Sequence, residues 1–223
     1  MGLFDRLLGR GTRQSPEPVG GSGFAVSIEQ ARNLMEDDNS QDYLPYPELV
    51  KRHMAMGGAI DELPEGIGEF GRSAGNPIPV NGPLGELTYL SKLVGGRGRQ
   101  IIAHRLGACA GGDAYEAVSL DGLDWDLLYL DPYHTRRSRV VPSRYQADAR
   151  CDLFLFATNY FLPTFPVGIA GALRSCSHRL FGLTLVYDSL PGDEFLRTLS
   201  RPDAHAAALA SLRTVARTTH GPV

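Results

Sequence analysis

Apolar residues recur along this chain with two periods, near 3.6 and near 2, and the switches between them outline the expected elements. After Ser27, which can cap a helix, Ile28, Ala31, Leu34 and Met35 share one helical side until the polar run Glu36 to Asp42 ends it. Pro47 opens a second short helix with Leu49, Val50, His53 and Met54 on a common face, stopped by Gly57-Gly58. Asp61 to Gly75, rich in glycine and acid, reads as an irregular surface connection. The prolines of Asn76 to Pro83 forbid a helix up to Gly82, and Pro83 then starts one. In it Leu84, Leu87, Leu90 and Leu93 form a buried stripe, with Glu86 and Lys92 facing out.

Gly95 to Arg99 breaks that helix, and the period shortens. Gln100 to Leu106 is predicted as a strand, and Ala114 to Leu120 and Trp125 to Leu130 as a hairpin turning at Asp121-Gly122-Leu123-Asp124. Trp125, Leu127 and Tyr129 take one side of the last strand and Asp126, Leu128 and Leu130 the other, so at least part of it is covered on both faces. A fourth strand is expected at Arg139 to Val141. The apolar run Leu153 to Leu162 is too short for its period to separate strand from helix. Val167 to Leu180 fits a helix and Leu183 to Tyr187 a short strand. Ser200 with Asp203 starts a last helix, with Leu209, Leu212 and Ala216 inward and Arg213 and Arg217 near its C-terminal end. The fold class is α+β, an antiparallel β-meander core over about residues 100–141 flanked by helices.

At the front, Leu3, Phe4, Leu7 and Leu8 oppose Asp5, Arg6 and Arg10, which makes an amphipathic head. The stretch 14–23, QSPEPVGGSG, is a flexible tether. The expected organisation is a head and linker over 1–23 and a single α+β domain over 24–223. That domain divides into a helical front (24–60), a sheet core (76–190) and a C-terminal helix (200–218). The head suits a partner protein, a membrane surface contacted through residues 1–13, or its own domain. Arg6 stands where N-myristoylation wants Ser or Thr.

Charge narrows the function classes. With 22 Lys plus Arg against 25 Asp plus Glu, the net charge of −3 lacks the basic footprint of a nucleic-acid binder. Lys51 and Lys92 are the two lysines, so arginine is the ordinary cation here and its clusters are discounted accordingly. Cys109, Cys151 and Cys176 form no CxxC pair, which fits a reducing, cytoplasmic setting. No apolar run approaches the length that spans a bilayer.

The densest polar group is Asp131-Pro132-Tyr133-His134-Thr135-Arg136-Arg137-Ser138-Arg139, at the end of a hydrophobic strand. There His134, Arg136, Arg137 and Arg139 are candidates to hold a phosphate or carboxylate through charge-assisted hydrogen bonds. The competing reading is a solvated turn whose arginines pair with the chain's own acids. Asn81-Gly82-Pro83-Leu84-Gly85, preceding a helix, is a second anion candidate. Gly95 to Arg99 is not one, because it follows a helix and precedes a strand. His104, His134 and Asp131 are the catalytic candidates, through acid–base chemistry at an imidazole. His104, Asp113, Asp131 and His134 are of ligand type, but no HxH, HxxxH or HExxH spacing fixes two on one element, so no metal is expected, and no cofactor. No GxSxG elbow or catalytic cysteine signature occurs.

The leading expectation is a non-enzymatic module that binds a protein partner or, at the Arg-rich turn, an anionic ligand. Its rivals are a hydrolase or transferase acting on a phosphate- or carboxylate-bearing small molecule, with Arg136 or Arg137 as clamp, and a peripheral membrane protein. Whether His104, Asp131, His134 and an arginine line one pocket separates the first rival from the rest.

Overall fold

A computed structural model describes residues 27–37, 47–109, 111–148, 155–185 and 189–219, with the backbone alone at 50, 54 and 213–219. The head and tether fall outside the described residues. In chain order the elements are α1 (Ile28–Glu36), α2 (Glu48–Met54), β1 (Ile78–Pro79), α3 (Gly82–Ser91), β2 (Leu93–Gly95), β3 (Ile101–Cys109) and β4 (Gly112–Ser119). There follow β5 (Trp125–Asp131), β6 (Tyr145–Ala147), β7 (Ala157–Thr158), α4 (Ile169–Phe181), α5 (Asp193–Thr198) and α6 (Asp203–Thr219). The architecture is α+β: β3, β4 and β5 form the antiparallel meander at the centre of a sheet ordered β1-β5-β4-β3-β7. The short outer strands run parallel to their neighbours, β1 to β5 and β7 to β3, and β2 pairs with β6 in a separate small sheet.

The meander is covered on both faces. Arg105, Tyr115 and Leu128 are register partners on the face that receives α3. His104, Glu116 and Leu127 are partners on the opposite face, which receives Phe165 and the start of α6. Leu84, Leu87 and Leu90 are wholly buried, as the leucine stripe requires. Every other residue of α3 is buried too, and this corrects the outward placement of Glu86, which is 1% exposed. The helix lies between α1, the strands β3 and β7, and the loop 132–141, so it has no solvent side.

α1 is capped as expected, Ser27 and Gln30 bonding reciprocally, and it buries Ala31 and Met35. Ile28 at its start and Leu49 on α2 are exposed instead. Arg139 to Val141 is not a strand. The edge of β5 that it would join is already held by β1, Ile78 opposite Leu130, and the next strand is β6, paired with Leu93–Gly95. Leu183 to Leu185 is irregular, while residues 186–188 are outside the described part. α4 ends one residue beyond the predicted Leu180, where Gly182 takes a left-handed φ of 67° and donates its N–H to His178 O. α6 starts at Asp203 and buries Leu209. Among the described residues no helix is long and apolar enough to cross a membrane.

Candidate functional site

The two polar segments singled out by the sequence lie side by side. Where β5 ends, Asp131 and Pro132 turn the chain back along the proline segment. Val80 and Gly82 donate N–H to Asp131 O (2.8 Å) and Pro132 O (2.9 Å), and His134 and Ser138 donate to Val80 O (3.1 Å) and Pro79 O (2.8 Å). Gly82 has φ of 71°, a left-handed geometry that favours glycine, and α3 starts there. Gly85 is equally constrained, since a Cβ there would stand 2.2 Å from Asn81 Oδ1. The proline-rich stretch Asn76 to Gly85 is therefore the backbone partner of the Arg-rich turn.

The cations of that turn have different fates. Arg136 Nη1 donates to Asp61 Oδ1 (2.6 Å), and Nη2 to Ala59 O (3.1 Å). That bond, helped by the Arg139 N–H at 2.8 Å, pulls the Asp61 carboxyl down to about 2. Arg137 reaches over Gly85 and donates to the last carbonyls of α1, Met35 O and Glu36 O, where positive charge suits the helix C-terminus. Lys92 Nζ lies 2.6 Å from Glu36 Oε2. Arg137 and Arg139 with Lys92, Tyr89 and Ser138 line a hollow of about 180 Å³. A second hollow of about 480 Å³, lined by Arg99, Gln100, Leu120 and Gln146 among others, contains no predicted site residue.

His134 does not join these cations. Its Nε2 is 3.1 Å from Asp131 Oδ2 and its Nδ1 3.1 Å from Gly58 O, two acceptors, so the imidazole donates from both nitrogens. Burial works against its charge, but the Asp131 bond and charge together with the Gly58 carbonyl prevail, and its pKa is raised. It ties the Gly57-Gly58 stop to the end of β5 so closely that a Cβ on Gly57 would lie 2.4 Å from the ring.

His104 is engaged elsewhere. The Leu162 N–H donates to its Nδ1 (3.0 Å), so its proton is on Nε2, which donates to Glu116 Oε2 (3.0 Å). Glu116, 0% exposed, also receives Arg201 Nε on Oε1 (2.5 Å), Arg201 Nη2 on Oε2 (3.1 Å) and His205 Nε2 on Oε1 (3.0 Å). Burial raises its pKa, yet these donors outweigh that and leave it well below the ordinary carboxylate range. Phe165 stacks on His104 at 4.3 Å, and Arg201 lies over Trp125 at 5.1 Å. The cluster fastens β3, β4, the Leu162–Phe165 loop and α6 together, with each carboxylate oxygen accepting twice.

The fold thus unites Asp131 with His134, and Arg137 with Arg139, while Arg136 pairs with Asp61 and His104 with Glu116. Neither imidazole offers the free lone pair that a general base needs. The sequence reading missed Lys92 as part of the cationic hollow, although a rare lysine just past a leucine helix was a signal. It also missed Glu86, whose place on an all-buried helix only packing reveals. Among the described residues, neither carboxamide atom of Asn81, 3% exposed, has a hydrogen-bond partner. Among the described residues no three His, Cys, Asp or Glu side chains are grouped to hold a metal ion. Comparison with known proteins yields no match to any family model, curated protein or solved structure.

Proposed function

We propose that the chain is a binding module whose ligand is a small molecule bearing a phosphate or carboxylate, received in the hollow under the Arg-rich turn. The observation that carries this reading is the convergence of Arg137, Arg139 and Lys92 on one hollow, with Ser138 and Tyr89 beside them. Glu36, bonded to Lys92, offsets only part of that charge. At about 180 Å³ the space is below the range of pockets that engulf whole ligands, so it suits one anionic group rather than an extended molecule. A cytoplasmic setting goes with this reading, as Cys109 and Cys176 are free thiols. The N-terminal head, expected to contact a protein partner or a membrane, lies outside the described residues.

Isothermal titration of the full chain with inorganic phosphate and with citrate at low salt tests the reading. Saturable binding that weakens with added sodium chloride and disappears in Arg139→Gln, an exposed position, is the expected result. Equal binding by wild type and Arg139→Gln, or no saturable binding of either anion, refutes it.

A further inference from the structure

The glycine run that cannot serve as a phosphate loop shapes the opposite face of the small sheet. Gly98, at a left-handed φ of 71°, donates its N–H to Gly95 O, and Gly95 donates to Arg99 O, both at 2.8 Å. The chain is thereby folded back so that Gln100, at the entry to β3, stands opposite Val94 of β2, while Gln146 of β6 stands opposite Val94 from the other side. Residues directly opposite one another in neighbouring strands share a face. Gln100, Val94 and Gln146 therefore form one row about 10 Å across, with a carboxamide at each end and an apolar residue between. The adjoining pair of the ribbon, Leu93 and Ala147, alternates with them and borders the cationic hollow.

This row lines the hollow of about 480 Å³, a size within the range of pockets that take a whole small molecule. Leu120, whose N–H is bonded to Gln100 O at 2.9 Å, adds apolar surface beside Val94. Arg99 stands on the Gln100 side, and Asp148, two residues on from Gln146 and so on the same strand face, stands on the other. The neighbouring Arg97 is spent on Asp124 at 2.9 Å. The side chains of Arg99, Gln100 and Gln146, by contrast, make no hydrogen bond or ion pair among the described residues, and the charge of Arg99 reaches Asp121 without a bond.

We infer that this hollow is a second binding site, separate from the cationic one, for a short zwitterionic peptide of the dipeptide class. One guanidinium and one carboxylate leave the hollow neutral, so a ligand with one charge of each sign suits it better than a phosphate, which Asp148 repels. The terminal carboxylate of the peptide takes Arg99 in a bidentate pair, and its ammonium takes Asp148. Asp148 has a contact of its own, and a carboxylate has lone pairs for more than one donor. The peptide amide lies between Gln100 and Gln146, whose carboxamides each donate and accept, and an apolar side chain covers Val94 and Leu120. Two extended residues span about 7 Å, which with one hydrogen bond of about 3 Å fills the row, whereas a single amino acid falls short of one wall.

Isothermal titration of the full chain with glycyl-leucine at neutral pH tests the site. Saturable binding is expected, and it is expected to be at least about tenfold weaker in Arg99→Gln. The same loss is expected on the wild type for N-acetyl-glycyl-leucine amide, which keeps the amide and the side chain but lacks both charges. Arg99 is exposed and without bonds among the described residues, so its variant is read on a folded chain, and the capped peptide needs no variant. Inorganic phosphate added at constant ionic strength is expected to leave the affinity unchanged, because the two hollows lie on opposite faces of the β2–β6 ribbon. No saturable binding up to about 10 mM overturns the proposal. So does equal affinity in Arg99→Gln, for the capped peptide or for free leucine, or displacement of the peptide by phosphate.

Discussion

Removing the guanidinium that closes the Glu116 cluster tests whether the C-terminal helix is bound to the sheet by charge. Arg201→Leu deletes the bonds at 2.5 and 3.1 Å to Glu116 and the one at 2.7 Å to Phe165 O. It leaves a carboxylate of 0% exposure with, among the described residues, His104 and His205 as its remaining donors. Breaking a buried pair from one side costs roughly 3–5 kcal/mol, and because the Arg201 side chain is 29% exposed the low end applies, about 3 kcal/mol. Glu116→Leu removes the buried charge but leaves the His104 Nε2–H without its acceptor, about 2 kcal/mol. In the double variant no buried charge remains, so the combined loss is expected near 3 kcal/mol rather than the sum of about 5, a coupling of about 2 kcal/mol.

Urea unfolding followed by far-ultraviolet circular dichroism measures this, since Trp125 emission itself changes when the guanidinium over its ring is lost. The Glu116 pKa is depressed, so its contribution is present above the ordinary 4.5 and is lost as pH falls below that through the folded value. The penalty of Arg201→Leu must therefore shrink in acid. A penalty under about 1 kcal/mol at neutral pH, or strictly additive single variants, refutes the reasoning.

His134 carries the opposite sign. Its pKa is raised above 6.5, so the stability from the Asp131 contact is full below that value and is lost as pH rises through the folded pKa. Asp131→Asn is expected to cost roughly 1–2 kcal/mol in thermal melts near pH 6 and clearly less near pH 9, and an equal cost at both would contradict the assignment. Ser91 Oγ accepts the buried Phe156 N–H at 2.9 Å and donates to Leu87 O at 2.6 Å. Ser91→Ala should therefore lower stability by roughly 1–3 kcal/mol without altering anion binding, as read by urea unfolding and phosphate titration.

Much of the scaffold could be read from spacing. The alternation of Trp125 to Leu130 gave the two-faced strand, the leucines of α3 gave its burial, and Ser27 gave the start of α1, because each depends on neighbours within a few residues. What failed had a different range. Arg139 to Val141 has strand-forming composition but no open edge, and Glu86 looked outward because its partner Tyr115 is on β4. The candidate sites fared likewise. The Arg-rich turn was visible as composition, while the division of its guanidiniums among Asp61, the end of α1 and a hollow was not.

By itself the sequence determined which segments could be helix or strand and which faces must be hidden, since periodicity and capping are local properties of a chain. Only the tertiary structure decided which charges meet. His104 gained Glu116, Glu86 gained the Tyr115 hydroxyl and Arg137 gained the end of α1 from residues 12 to more than 100 positions away. Whether a buried ionisable group is spent on the fold or left able to react depends on that distant count of donors and acceptors, and no local pattern encodes it.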